Sequence, residues 1–198
     1  MRKAFALFTL AILAGFLSSP LTAQDKPKAK PEIEVPYVPT PEKVVTEMLK
    51  LAAVKAGDTV YDLGCGDGRI VITAVQDFKA GKGLGLDFNP ERLKDCAANI
   101  KKAKLSEETL RKLTFKQGDV LKLTDKDFAG VDVVTLYLLP EVNRRLKPVL
   151  LKGLKPGARV VSHDFDMGDD WLPEKTVSVL DESGLEHTVY LWTIKAKK

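Results

Sequence analysis

The sequence is short of the residues that build metal and disulfide scaffolds: among 198 residues there are two cysteines and two histidines. No Cys/His ligand spacing is clustered along the chain, so no metal centre is expected. Cys65 lies inside a run of glycines and Cys96 inside a helical stretch. A bridge between them would tether a loop that has to close on a ligand, so two small buried thiols are expected rather than a disulfide. Long runs of one charge are also missing. The 31 Lys and Arg against 27 Asp and Glu leave a net +4, and the Lys-rich ends (Lys26, Lys28, Lys30 and Lys195, Lys197, Lys198) read as solvated tails, which argues against a nucleic-acid partner. There is no internal repeat, and no apolar run reaches the roughly 20 residues needed to span a bilayer. What is present is 44% hydrophobic and 29% charged residues, the balance of a globular domain, in a length that suits one domain and not two.

The first 23 residues differ from the rest. Arg2 and Lys3 precede an apolar run from Ala4 to Leu17, and Ser18 to Ala23 supply small residues at its exit. This is the pattern of a signal peptide, so export is expected. A short uncleaved anchor is the alternative, because Lys26, Lys28 and Lys30 nearly balance the charge before the run, which leaves membrane association through the N-terminus open. No Cys follows the run, so a lipoprotein anchor is not indicated. Residues 24–39 form a Pro- and Lys-rich linker. Its last part, Val35 to Pro41, carries a tyrosine and two valines and is expected to lie on the domain, which occupies 40–198.

Within that domain the pattern alternates. Thr40 is expected to cap a helix that has Pro41 at its first position and Val44, Val45, Met48, Leu49 and Ala52 at helical spacing. Strands are read at Thr59–Leu63, Gly83–Asp87, Leu113–Lys116, Val131–Leu138 and Ala158–His163, separated by helices at Arg69–Phe78, Pro90–Ala103 and Pro140–Leu154, with Asn89 as the cap of the second. Two strands, Thr176–Leu180 and Thr188–Lys195, close the chain. Strands and helices in alternation imply an α/β fold, a single doubly wound and mostly parallel sheet with helices on both faces, and the two consecutive strands imply a terminal hairpin.

The strand ending in Asp62-Leu63 runs into Gly64-Cys65-Gly66-Asp67-Gly68 and then into a helix. Strand, glycine turn and helix form the unit with which open α/β sheets hold nucleotides. The spacing is Gly-x-Gly-x-Gly and not the phosphate-cradling Gly-x-Gly-x-x-Gly. An Asp inside the turn would repel a pyrophosphate and suits a ligand with a cationic amino-acid end. Asp87 closes the next strand, about 20 residues on, where an acid accepts the hydroxyls of a ribose. Gly118-Asp119-Val120 follows the third strand, with Asp119 placed to accept from an adenine amino group and Val120 to pack on the ring.

These stretches resemble the class I S-adenosylmethionine-dependent methyltransferases, a Rossmann-like family, over residues 40–195. The resemblance implies a seven-stranded sheet with an antiparallel last strand and S-adenosyl-L-methionine as cofactor. It implies that Gly64, Gly66 and Gly68 lie against the methionine part, that Asp87 holds the ribose and that Asp119 meets the adenine; Asp62, Cys65, Asp67, Phe88 and Val120 are further candidate cofactor-binding residues. Pro36 to Pro41, Leu136 to Pro140 and Gly157 to His163, with Gly66 to Ile70, are further similar to the protein-lysine methyltransferases of mitochondrial carriers and of the ATP synthase c subunit. That narrower likeness implies a protein with an accessible lysine as acceptor.

On the acceptor side, Thr135 to Pro140 lacks the Asn/Asp-Pro-Pro-aromatic run with which enzymes that methylate planar amines grip their nitrogen, which argues against adenine, cytosine or glutamine. Tyr137 is the polar exception in this apolar stretch, either as an acceptor-site residue or as a core aromatic. Asp164, Asp166, Asp169, Asp170 and Trp171 follow the fifth strand and could orient an ammonium group, with His163 as a candidate base. Tyr137, His163 and Asp164 are therefore the candidate catalytic residues, and His187 is read as incidental. Methyl transfer from a sulfonium is an in-line displacement that does not strictly require a protein base. A monomer is expected. A small-molecule methyltransferase and a non-catalytic cofactor-binding module remain alternatives, the latter because an export signal separates the domain from a cofactor made in the cytosol.

Overall fold

The structure is a computed structural model that describes residues 37–196. The expected signal peptide and most of the linker lie outside the described residues. No described helix is long and apolar enough to cross a membrane.

Five parallel strands form the centre of the sheet: β1 (Thr59–Leu63), β2 (Lys82–Asp87), β3 (Leu113–Gln117), β4 (Val133–Leu136) and β5 (Arg159–His163). Two more, β6 (Lys175–Leu180) and β7 (Glu186–Thr193), complete a seven-stranded sheet in the order β3-β2-β1-β4-β5-β7-β6. β7 inserts between β5 and β6 and is antiparallel to both. The chain leaves β1 towards β2 on one side and returns to β4 on the other, both parallel to β1. This reversal falls between β1 and β4, and doubly wound sheets bind ligands at the carboxyl ends of the strands at such a point.

Side chains alternate between two apolar layers with the period of a strand. Val60, Val133, Val161 and Leu191 join the layer under α1 (Glu42–Leu51) and α2 (Arg69–Gln76), whereas Tyr61, Leu63, Val134, Leu136, Val160 and Trp192 join the layer under α5 (Pro140–Gly153). Both faces are covered, which explains why β1 and β4 read as continuous apolar runs. α3 (Pro90–Ala103) packs on β2 and β3 through one buried side chain, Cys96. Cys65 and Cys96 are buried free thiols.

Three local expectations differ from the structure. Thr40 does not cap α1: the helix starts after Pro41 with no side-chain cap, and the Thr40 hydroxyl instead meets His163 Nδ1 at 3.2 Å. β4 is shorter than its apolar run, because the chain leaves the sheet after Leu136 to lay Leu138 against the glycine turn. A five-residue helix, α4 (Glu107–Arg111), is capped by Ser106 and is too short to show a period.

The approach of α2 to the sheet depends on Gly83. A Cβ there would lie 2.5 Å from Val71 Cγ1 and 2.9 Å from Val75 Cγ2. Gly83→Ala is expected to destabilise the domain by about 1–3 kcal/mol through overpacking, read as a lower urea midpoint with an unchanged slope. An unchanged midpoint would show that α2 has room to spare.

Candidate active site

The turn after β1 is built on backbone geometry. Gly64, Gly66 and Gly68 have φ of +78°, +53° and +78°, values that side chains with a Cβ rarely adopt. The N–H groups of Gly64 and Cys65 both donate to Leu86 O, at 2.8 and 3.0 Å. Gly66 N–H donates to Asp87 Oδ2 at 2.9 Å, while Asn89 N–H donates to Asp87 Oδ1 at 2.8 Å. Asp87 thus joins the end of β2 to the turn. A Cβ on Gly66 would sit 2.6 Å from the Tyr37 ring, whose face also carries the Arg92 guanidinium at 4.1 Å. The residues before α1 therefore strap the turn from outside.

Three acids, Asp62, Asp67 and Asp87, gather at this turn, and a fourth, Asp119, stands past β3. Asp67 spends its carboxylate on Arg69, which donates from Nε at 3.0 Å and from Nη2 at 2.6 Å. Burial pushes the Asp67 carboxyl up, but the bonds and charge of Arg69 outweigh it and hold the group below the usual range. The acid inside the turn is thus neutralised by the helix that follows and does not stand as a free charge. Arg69 Nη1 also donates to Thr40 O at 3.0 Å, so the same pair holds the strap. Asp87 is pushed up by burial, against the pull of its two N–H donors and Arg92. Asp119 Oδ1 accepts from Leu121 N at 2.9 Å, opening the short 3-10 turn Val120–Lys122. Phe88 follows Asp87 and is held by Gln117 Nε2, which donates to Phe88 O at 3.1 Å. Asp62 is 2% exposed at the end of β1 and accepts from the Thr135 hydroxyl at 2.6 Å. Burial first, then the charges of Asp87 and Asp67, push its carboxyl up to about 7.

This set of carboxylates offers no counter-charge to a phosphate and favours a ligand that brings its own cations. The residues present therefore fit S-adenosylmethionine, with its ammonium and sulfonium groups, better than a dinucleotide.

The candidate acceptor residues assemble at the neighbouring strand ends. A Cβ on Gly64 would lie 2.6 Å from Leu138 Cδ2, which sets the segment after β4 against the turn. Beside it, the half-buried Tyr137 ring lies 3.9 Å from the His163 ring and 6.0 Å from the nearly parallel Phe165 ring. Burial, and then the charge of Asp164, raise the Tyr137 hydroxyl above its usual range. Asn143 Nδ2 holds the loop after β5 by donating to Phe165 O at 3.1 Å and Asp166 O at 3.2 Å.

His163 is fully buried. Its Nδ1 faces Thr40 and its Nε2 lies 2.9 Å from His187 Nδ1. Burial, reinforced by His187 and opposed by Asp164, lowers its pKa to about 4. Asp164 joins the pair with Oδ2 3.3 Å from His163 Nε2 and 3.2 Å from His187 Nδ1. His187 is therefore not incidental: the antiparallel pairing of β5 with β7 brings it to His163 across 24 positions of sequence. Of the remaining acids, Asp170 pairs with Lys147 and Asp166 accepts from Gly168 N at 3.0 Å.

The structure thus groups Asp62, Gly64, Cys65, Gly66, Asp67, Gly68 and Asp87 around one turn, and Tyr137, His163 and Asp164 at the adjacent strand ends. Asp119 and Val120 stand past β3. Tyr37, Arg69 and Thr135 also belong to this arrangement; their part comes from contacts 29 to 73 positions away and, for Arg69, also from its bond back into the turn.

The sheet order and the glycine turn with its acids define an S-adenosylmethionine-dependent methyltransferase of the Rossmann-like class. Residues 62–175 match the ANTKMT methyltransferase domain, and the chain belongs to that family. It is 47% identical over 164 residues to a protein-lysine N-methyltransferase of Saccharolobus islandicus, covering 83% of this chain and 96% of that one. It is 30% identical to the adenine nucleotide translocase lysine N-methyltransferase of Mus musculus, covering 87% and 67%. Among solved structures, an RNA methyltransferase from Salinibacter ruber in complex with S-adenosyl-L-homocysteine is 46% identical with a TM-score of 0.70, covering 81% and 96%.

Asp62 generates a pH dependence. The unfolded chain loses this proton near 3.8, whereas the folded domain keeps it until about 7. The ionised unfolded state gains over that window, so the contribution of Asp62 to cofactor-free stability should be fully present below about pH 4 and be lost as pH rises through about 7. Asp62→Asn, which can still accept from Thr135, should flatten the slope in urea unfolding across this range. An identical slope in the variant would assign the dependence to another group.

Proposed function

We propose that this chain transfers the methyl group of S-adenosylmethionine to the side-chain amine of lysine in a protein. The observation that carries the reading is the acceptor edge. Leu136 to Pro140 offers no amide or carboxylate to grip a planar base nitrogen, and its Tyr137 ring lies nearly parallel to that of Phe165, the residue after Asp164. Aromatic faces and carboxylates attract an ammonium group; the same acids oppose a phosphate backbone. The names of the archaeal and mouse relatives support a lysine acceptor. The Salinibacter ruber relative carries the name of an RNA methyltransferase, which makes RNA the rival acceptor.

When bound, the cofactor supplies an electrophilic methyl group on sulfur. The glycine turn lets backbone approach it, and Asp87, already fixed by two N–H groups, offers its remaining lone pairs to ribose hydroxyls. Leu138 and Tyr137 exclude water from the side on which the amine must align for in-line attack. The amine sheds its proton to solvent before it attacks. His163, with no exposure and both ring nitrogens engaged, serves as a positioning residue beneath Tyr137, and Asp164 holds it there.

Incubation of the protein with methyl-labelled cofactor and separate protein and RNA fractions should label protein, and hydrolysis should release methylated lysine. Label confined to RNA would overturn the lysine reading, and label confined to small molecules would do so as well. Tyr137→Ala should lower kcat by about 100-fold, since alignment and not binding is lost, while calorimetry gives an unchanged cofactor affinity.

A further inference from the structure

The junction of β5 and β7 holds a cluster in which His187 joins His163 and Asp164 and has no part in the methyl transfer proposed above. His163 ends β5 and pairs with Val189 of β7. His187 lies two residues before Val189, so the period of the strand puts both imidazoles on one face of the sheet. Asp164 is the next residue after β5 and has a left-handed φ of +56°. That turn brings its carboxylate back onto β7, where Oδ1 accepts from Thr188 N at 2.8 Å.

Three ligand-type atoms then meet. His163 Nε2 and His187 Nδ1 are 2.9 Å apart, and Asp164 Oδ2 stands 3.3 and 3.2 Å from them. Atoms bound about 2 Å from one ion, at angles between the octahedral and the tetrahedral, are spaced about 2.9–3.4 Å. The two rings, 4.8 Å between centroids and inclined by 55°, leave room for both nitrogens to face a common point. The outer ring nitrogens have partners of their own: Thr40 Oγ1 at 3.2 Å from His163 Nδ1, and Asp181 Oδ2 at 3.4 Å from His187 Nε2. When each ring donates outward to that partner, two nitrogen lone pairs and a carboxylate oxygen face one another. Outer partners of this kind orient the histidines of metal sites. A shared proton lies along one edge of such a triangle, whereas a cation over its centre engages all three atoms.

We propose that His163, Asp164 and His187 form a site for one divalent first-row transition-metal ion of the zinc class. Two imidazoles and one carboxylate are a donor set for such ions, and calcium or magnesium would demand more oxygen. The Asp164 side chain is 29% exposed, so this side gives the ion a way in from solvent and leaves further positions to water. The ion would fasten the end of β5 to the start of β7 under the Tyr137 ring. This inference does not depend on which acceptor is methylated.

The test uses the full chain without a polyhistidine tag, dialysed against zinc and then against a weak chelator. The wild type should retain one zinc per chain and unfold at a higher temperature than the metal-free protein. His187→Gln should lose the zinc and weaken binding about 100-fold or more, and Asp181→Asn should weaken it about 10-fold. Cobalt substitution of the wild type should give visible ligand-field bands without a thiolate charge-transfer band. That measurement stands even if His187→Gln fails to fold. No retained zinc would overturn the proposal. So would zinc retained equally by His187→Gln, or a thiolate band, which would place the metal at Cys65 and Cys96.

Discussion

The bond from Gly66 N–H to the Asp87 carboxylate, at 2.9 Å, is the contact on which the carboxyl edge of this domain depends. It requires the turn after β1 to run through left-handed backbone at three glycines, and it requires β2 to end level with β1. Once these hold, the amides of Gly64, Cys65 and Gly66 are spent on the end of β2, and the turn receives Tyr37 against Gly66. A Cβ at Gly66 would meet the Tyr37 ring, so the residues before α1 can reach the turn only because that position is glycine. Arg69 extends the same arrangement. It neutralises Asp67 and holds Thr40 O, and Thr40 in turn meets His163. The cofactor turn, the strap and the acceptor edge therefore share one continuous set of polar contacts.

Charge at this edge is graded. Asp67 is paired, Asp87 is bound to backbone, and Asp62 is buried with one hydroxyl donor and a carboxyl that ionises only near 7. A free domain carries this unfavourable burial because folding places the end of β1 under both Asp87 and Asp67. The site is therefore electrostatically unfinished by itself, as is common where binding and stability compete.

The chain shows how far a sequence read along its length reaches. The glycine turn, Asp87 and Asp119 each lie within a few residues of a strand end, so alternation of strands and helices was enough to place them. The boundaries of α3 and its Asn89 cap were legible for the same reason, since Pro90 and Glu91 follow the cap directly. Thr40 shows the limit. A Thr before Pro-Glu has the local chemistry of a cap, yet its hydroxyl goes to His163, 123 positions away. Tyr37 was readable as an aromatic lying on the domain but not as the cover of Gly66.

The sequence by itself determined the order of strands and helices, the glycine turn with Asp62 and Asp67, and a class of chemistry, because each of these is encoded within one strand–turn–helix unit. Only the tertiary structure decided what became of the charges and the histidines. Asp62 is held protonated to about 7, and His187 stands beside His163 and Asp164. Burial and cross-strand register set those outcomes, and both are properties of how β1, β4, β5 and β7 lie side by side. Neighbours in the chain carry no record of them.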